Sequence, residues 1–231
     1  MELILSDGTL AVYVDDTGHE ALVGGHPVYG LGGCAVMASD LDRVIRRPWH
    51  EVRRKVTGSP DTPLHAASFT RTATKEQIGV VAEFFRNGAF ARLGAIITAK
   101  ATRGGLDPLP VIASTLKNRI TDVAKWMPFK EVNVIFESSD RANRQIEDAF
   151  GDFRLEENGA PLPVECYFMP KAVHDPALEV ADFIMHAVGR QARRRIEGKD
   201  GFAPDFAAVF HNVDRKLVSF MEVSGVERRP A

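Results

Sequence analysis

The sequence predicts an α/β protein built on a mixed sheet with an antiparallel edge. Two observations carry that expectation. First, two apolar runs near the N-terminus, 10–16 and 28–37, are separated by a turn-sized gap and read as an antiparallel pair. Second, later strand-like runs at 90–100, 131–137 and 164–169 alternate with helical patterns, as strands joined by crossover helices do. A chain of 231 residues can bury enough surface to fold as one domain without staples. With 45% apolar and 26% charged residues, its composition is that of an ordinary globular protein. No stretch approaches 18 consecutive apolar residues and no basic leader precedes Asp7, so no membrane span and a cytoplasmic location are expected. Cys34 and Cys166 lie in separate apolar runs, which reads as two buried thiols rather than a zinc or redox pair. A formal charge of −2 argues against a wholesale polyanion binder but leaves room for local basic clusters.

The elements follow in order. Leu10-Ala11-Val12-Tyr13-Val14 is uninterrupted by polar residues and rich in strand formers, and it delivers Asp15 and Asp16 to the rim of a sheet before Gly18 turns the chain. Val28 to Met37 is the second strand, its glycines permitting close backbone approach or a bulge. Ser39 or Asp40 caps a helix to about Lys55, with a break or kink expected at Pro48. Thr57 to Pro63 reads as a loop, and Thr74 caps a helix over about 75–88. Phe90 to Lys100 is a strand, 103–110 a connector, and a helix runs on to about Met127. Glu131 to Glu137 is a strand ending in an acid, Asp140 begins a helix, and Val164 to Met169 is a further strand. Asp175-Pro176 starts a helix that extends to about Ile196, since a capping Asp before Pro at the first helical position is a strong start signal. A short strand near Leu217–Val223 is expected to close the chain.

Three acids stand at comparable places: Asp15 and Glu137 at strand ends, and Asp182 on the helix after Pro176. On that helix Glu179, Asp182 and His186 are spaced i, i+3 and i+7 and share a face. Asp182 is flanked by Val180, Ala181, Phe183 and Ile184, so partial burial is expected, and an unpaired buried acid must shift its pKa or cost stability. Hard cations such as Mg²⁺ or Mn²⁺ take carboxylate oxygens together with water and substrate phosphate, so Asp15, Glu137 and Asp182 are the expected metal ligands and catalytic acids. The competing readings are a solvated strand-end acid, an Asp182 paired with an arginine, and a His186 that is merely packed.

The segment Tyr13-Val14-Asp15-Asp16-Thr17-Gly18 resembles the tyrosine–hydrophobic–Asp–Glu–Ser–Gly opening of the domain-of-unknown-function family numbered 3800. The segment 29–36 is similar to that family's glycine-bearing second strand, Val134 to Ser139 to its strand ending in an acid, and Asp175 to Ile184 to its closing leucine–glutamine–x–alanine–aspartate helix. The resemblance runs from about Leu10 to Arg195. It implies a ribonuclease H-like domain over 1–231, with a core over about 10–196, a C-terminal extension over 197–231, and a mixed five-stranded sheet of order 3-2-1-4-5 flanked by helices. It also implies a two-metal acidic site with Asp15 as shared ligand and Glu137 and Asp182 as outer ligands. Asp16 stands for the family's Glu, Thr17 for its Ser, Glu137 for its strand-end Asp and Glu179 for its helix Gln. Where the family often carries a further acidic–basic pair, this chain has Pro63 to Ala66, leaving only His65. A replacement ligand from Glu179, a one-metal site and no metal site stay open as alternatives.

Arg190, Arg193, Arg194, Arg195 and Lys199 crowd the end of the Asp182 helix, either complementing its C-terminal dipole or facing phosphates. Arg43, Arg46, Arg47, Arg53, Arg54 and Lys55 form a second cluster, of which Arg43, Arg46, Arg47 and Arg54 share a face that reads as solvated if the helix continues through Pro48. The function expected from these features is a metal-dependent nuclease or phosphodiesterase acting on nucleic acid. Asp15, Glu137 and Asp182 would be central, Asp16 or Glu179 would tune the shell, and Thr17, His65, His186 and Arg190 would face substrate. The alternative is a non-catalytic nucleic-acid- or protein-binding member of the same fold.

Overall fold

The structure, a computed structural model, describes residues 3–20, 22, 27–99, 107–138, 143–157, 160–211 and 213–223. The expected helix start at Asp140 and the 103–106 part of the connector lie outside them. In chain order the elements are β1 (Thr9–Gly18), β2 (Val28–Met37), α1 (Ala38–Leu41), a π-helical turn (Asp42–Arg46), α2 (Arg47–Thr57), α3 (Ala66–Thr72), α4 (Lys75–Asn87), β3 (Ala91–Thr98), α5 (Pro108–Ala124) and β4 (Glu131–Glu137). There follow α6 (Asn143–Phe150), β5 (Leu155–Glu157), β6 (Ala160–Leu162), β7 (Val164–Met169), a 3-10 turn (Lys171–Val173), α7 (Pro176–Ile196), α8 (Pro204–Phe210) and β8 (Val218–Val223).

A mixed six-stranded sheet of order β7-β4-β1-β2-β3-β8 forms the centre, and β5–β6 is a separate small hairpin. β1 pairs antiparallel with β2, and β2 with β3. β4 is parallel to β1, β7 to β4 and β8 to β3. The sheet therefore has six strands rather than the five that the resemblance implies. The sixth is β8, the closing strand expected near Leu217–Val223, whose Val218, Phe220 and Glu222 align with Arg92, Gly94 and Ile96 and cover what would be a bare edge of β3.

β1 is central, and its period of two sends alternate residues to two cores. Leu10, Val12 and Val14 join Ile112, Leu116 and Ile120 of α5 on one face. Ala11 and Tyr13 join Trp49 of α2, Phe85 of α4 and Ile184 of α7 on the other. The same parity holds in β4, where Val134 and Phe136 belong to the first core and Ile135 to the second. Side chains 13, 15 and 17 of β1 and 135 and 137 of β4 thus share the α7 face.

Helix α7 lies tight against that face because glycine backs it. A Cβ on Gly189 would stand 2.2 Å from Thr17 Oγ1, and one on Gly33 would stand 2.6 Å from Ala181 Cβ as well as 2.2 Å from the Tyr13 carbonyl of its own sheet. Residues 181 and 189 lie on one helical row, so these two missing Cβ positions let α7 approach β1 and β2 closely.

The expected break at Pro48 is absent. A π turn immediately precedes it, and Pro48 falls in the first turn of α2, so the missing N–H and the crowded preceding carbonyl are absorbed without ending the helix. That shift in phase aims Arg46, Trp49 and Arg53 at α7. Arg46 Nη2 reaches Asp175 Oδ2 at 3.0 Å, and Arg53 Nη2 reaches Glu179 Oε1 at 2.7 Å. These two arginines do not belong to a solvated face, whereas Arg43, Arg47 and Arg54 pair at the surface with Asp40, Asp42 and Glu51.

Candidate functional site

β1 outlasts its pairing with β4, whose last partners are Val14 and Phe136. Asp15 and Glu137 therefore project side by side past the ladder, on the face covered by α7. Asp182, in the second turn of α7, stands over them. The three acids feel one another. Burial, then the charges of Asp182, Asp16 and Glu137, holds the Asp15 carboxyl well above the ordinary carboxylate range. Burial likewise raises Asp182, against the Ala66 N–H and the charges of His65 and Lys171, with Glu137 adding to the rise. Asp15, Glu137 and Asp182, separated by more than a hundred residues, are brought into one electrostatic group.

Lys171, two residues beyond β7, supplies the nearby positive charge. Its Nζ lies 3.0 Å from Glu137 Oε2. Burial works against the ammonium, but the bond to Glu137 and the fields of Glu137, Asp15 and Asp182 together carry its pKa above the usual lysine value. Among the described residues no group of three or more His, Cys, Asp or Glu side chains is arranged to hold a metal ion. Glu137 and Asp182, with Lys171 and His65, line a cleft of about 190 Å³ between the end of β4, the segment before α3 and the start of α7.

Asp182 also orders the segment before α3. Its Oδ2 accepts from Ala66 N at 2.9 Å and faces His65 Nδ1 at 3.2 Å. His65 is in turn the N-cap of α3, its Nδ1 accepting from Ala67 N at 3.4 Å. Asp182 is therefore a capping acid, serving one of the unpaired N–H groups at a helix start.

Glu179 is held elsewhere. Its Oε2 accepts from Trp49 Nε1 at 2.8 Å, Arg53 Nε at 3.0 Å and Leu64 N at 3.1 Å, while Oε1 accepts from Arg53 Nη2 at 2.7 Å. Both side chains are almost wholly buried. A carboxylate so engaged ties α2, the segment before α3 and α7 together. Removing either partner of such a pair costs about 3–5 kcal/mol, because the other charge is left uncompensated.

The remaining expected residues are distributed as follows. Asp16 is exposed and, one residue from Asp15, points to the opposite face of the sheet. Thr17 is buried, packed against Gly189. His186 Nε2 meets Thr70 Oγ1 at 2.9 Å. Burial, then Arg190, Arg193 and His65, pushes the His186 pKa down to about 4. Arg190 lies 3.4 Å from Asp205 of α8.

Lys171 and the Trp49–Arg53 pair were missed from sequence. Lys171 carries a usable signal, a cation two residues past a strand that abuts an acid-ended strand. Arg53 carries none without the π turn that sets its phase. Comparison with protein-family models and with curated protein sequences finds no match.

Proposed function

We propose that the protein is a divalent-cation-dependent phosphodiesterase acting on nucleic acid at the Asp15–Glu137–Asp182 cleft, on a ribonuclease H-like frame of the kind implied for domain-of-unknown-function family 3800. The frame is supported by the inner run β3-β2-β1-β4-β7, with β1 to β3 antiparallel and β4 and β7 parallel to β1; β8 lies outside that run. The observation that carries the reaction class is the convergence of three acids: Glu137 and Asp182 line a cleft, and burial and then the charges of Asp182, Asp16 and Glu137 hold the neighbouring Asp15 carboxyl well above the ordinary carboxylate range. Such a group favours a cation, and its oxygen donors suit Mg²⁺ or Mn²⁺. Asp15, Glu137 and Asp182 would hold the ion, with Glu137 turning away from Lys171. When bound, a cation of this class activates water and stabilises charge on phosphoryl oxygens. The chain's own contribution is positional. Ala66 N fixes the Asp182 carboxylate, and Glu179 fixes α7 against α2.

The test is cleavage of labelled DNA and RNA in Mg²⁺ or Mn²⁺ by wild type, Asp15→Asn and Asp182→Asn. Each substitution is expected to lower the rate by about 100-fold or more. Equal activity in all three overturns the proposal.

The Lys171–Glu137 pair favours a second reading, in which the lysine takes the place of a cation and the protein binds without cleaving. Thermal melting separates the two, since an ion that binds the native state must stabilise it. A rise in Tm with millimolar Mn²⁺ that is lost in Asp15→Asn supports the phosphodiesterase, and no shift supports the binder.

A further inference from the structure

The face of α7 that carries Asp182 does not end at the acid cleft. His186, Arg190 and Arg193 continue it at i+4, i+8 and i+11, one stripe along the helix. Beside that stripe lies an open groove of about 470 Å³, walled by Thr70 and Arg71 of α3 and by the end of α7 with Lys199 beyond it. Arg71, Arg190, Arg193, Arg194 and Lys199 line it, against one lining carboxylate, Glu197.

Much of this positive charge is not neutralised. Arg190 has Asp205 and Lys199 has Glu197. Arg193 Nε donates to the Gly189 carbonyl at 3.3 Å and Arg194 Nη2 to the Asp200 carbonyl at 2.6 Å. A carbonyl accepts a hydrogen bond but brings no compensating charge. The Arg194 Nε is buried without a hydrogen-bond partner. Among the described residues no carboxylate lies within ion-pair distance of Arg71, Arg193 or Arg194. The field is felt by His186, between the two poles, whose charged form is disfavoured by burial and then by Arg190 and Arg193. The helix C-terminus accounts for some basic residues in the last turn, but not for Arg71, which arrives from α3.

We propose that this groove is a phosphate-binding track that holds a nucleic-acid strand and leads it to the acid cleft. Asp182 to Arg193 spans about 16 Å of helix, or about five nucleotides of a duplex strand. The acids occupy one end and the arginines the other, so a phosphodiester at the acids leaves its neighbours over the cations. The direction of approach rests on the phosphodiesterase reading; the binding does not.

The experiment is fluorescence anisotropy of a labelled single-stranded oligonucleotide in EDTA, which makes it independent of cleavage. Wild type is compared with Arg71→Gln/Arg193→Gln/Lys199→Gln, and with Arg43→Gln/Arg54→Gln/Lys55→Gln, which removes equal charge from α2 and the turn before it. The groove variant is expected to bind at least ~10-fold more weakly near 0.1 M salt, with its log-affinity against log-salt slope shallower by about 2. The control is expected to bind as wild type. Wild-type-like binding by the groove variant, or equal loss in the control, overturns the track. Intact binding with no cleavage in Mg²⁺ or Mn²⁺ retires the phosphodiesterase and leaves the track standing.

Discussion

Asp15 carries a charge that its surroundings resist. Asp15 is half-buried on the α7 face, where its carboxyl is desolvated and lies in the fields of Asp182, Asp16 and Glu137, while Lys171 is committed first to Glu137. A folded-state pKa raised above the unfolded value means that the native state binds the proton more tightly. The stability this contributes is present below the ordinary carboxylate range and is lost as pH rises through the raised value. At neutral pH the wild type therefore carries a penalty that Asp15→Asn, a neutral mimic of the protonated acid, removes. The expected outcome in EDTA is a higher Tm for Asp15→Asn at pH 7–8, at about 2–4 °C per kcal/mol relieved for a chain of this size, with the difference vanishing near pH 4. A lower Tm at neutral pH would mean that Asp15 is held by favourable partners rather than by strain. Glu179, on α7, is the opposite case: its burial is matched by Trp49, Arg53 and Leu64, so its charge stabilises the α2–α7 contact. Glu179 and Asp182, three residues apart on α7, are thus separated into a strut and a site by what surrounds them, which spacing alone does not reveal.

At the scale of the element, α7 decides where the site lies, and glycine decides where α7 lies. Gly189→Ala tests this. Alanine is the better helix former by about 1 kcal/mol. Against that, the new Cβ would stand 2.2 Å from Thr17 Oγ1, 3.1 Å from Cγ2 and 3.2 Å from Cβ. Thr17 is branched at Cβ, so rotating its hydroxyl away brings a methyl or the branch point into the same space. Overpacking of this kind costs about 1–3 kcal/mol, so the steric term is expected to win and Tm to fall by a few degrees. Gly79→Ala on α4 is the matched control: nothing lies within 4 Å of its Cβ, and the propensity gain should appear there as a small rise in Tm. A rise in both variants would mean that α7 has room to lift. Helix α7 was legible in the sequence from Asp175-Pro176 to its last turn, because a capping acid and an N-terminal proline are local signals. Its height over the sheet was not, because that depends on Thr17 meeting a residue 172 positions away.

For the whole molecule, the strands β4 and β7 and the capped helix α4 could be read from pattern, since each buries an uninterrupted or periodic apolar face. The three central acids were legible as strand-end and helix-borne carboxylates. The helices α3 and α8 and the hairpin β5–β6 were not, because a helix of two turns or a strand of three residues holds too little periodicity to separate from loops. The C-terminal region shows what that costs. Residues 197–231 read as an extension, yet α8 and β8 pack on the same body: Phe210 meets Phe220 at 5.5 Å, and β8 adds six residues of parallel ladder to β3. Phe220 also closes over Gly94, where a Cβ would lie 2.6 Å from its ring. A chain ended at residue 211 loses that ring, worth about 2 kcal/mol of burial, and bares the edge of β3. The expected outcome is a Tm lower by roughly 4–8 °C and concentration-dependent association on size-exclusion chromatography. Phe220→Ala in the full-length chain should show the thermal loss with much less association, since the ladder remains. If the truncated chain melts like the full one and stays monomeric, the sheet is complete with five strands and β8 is an appendage.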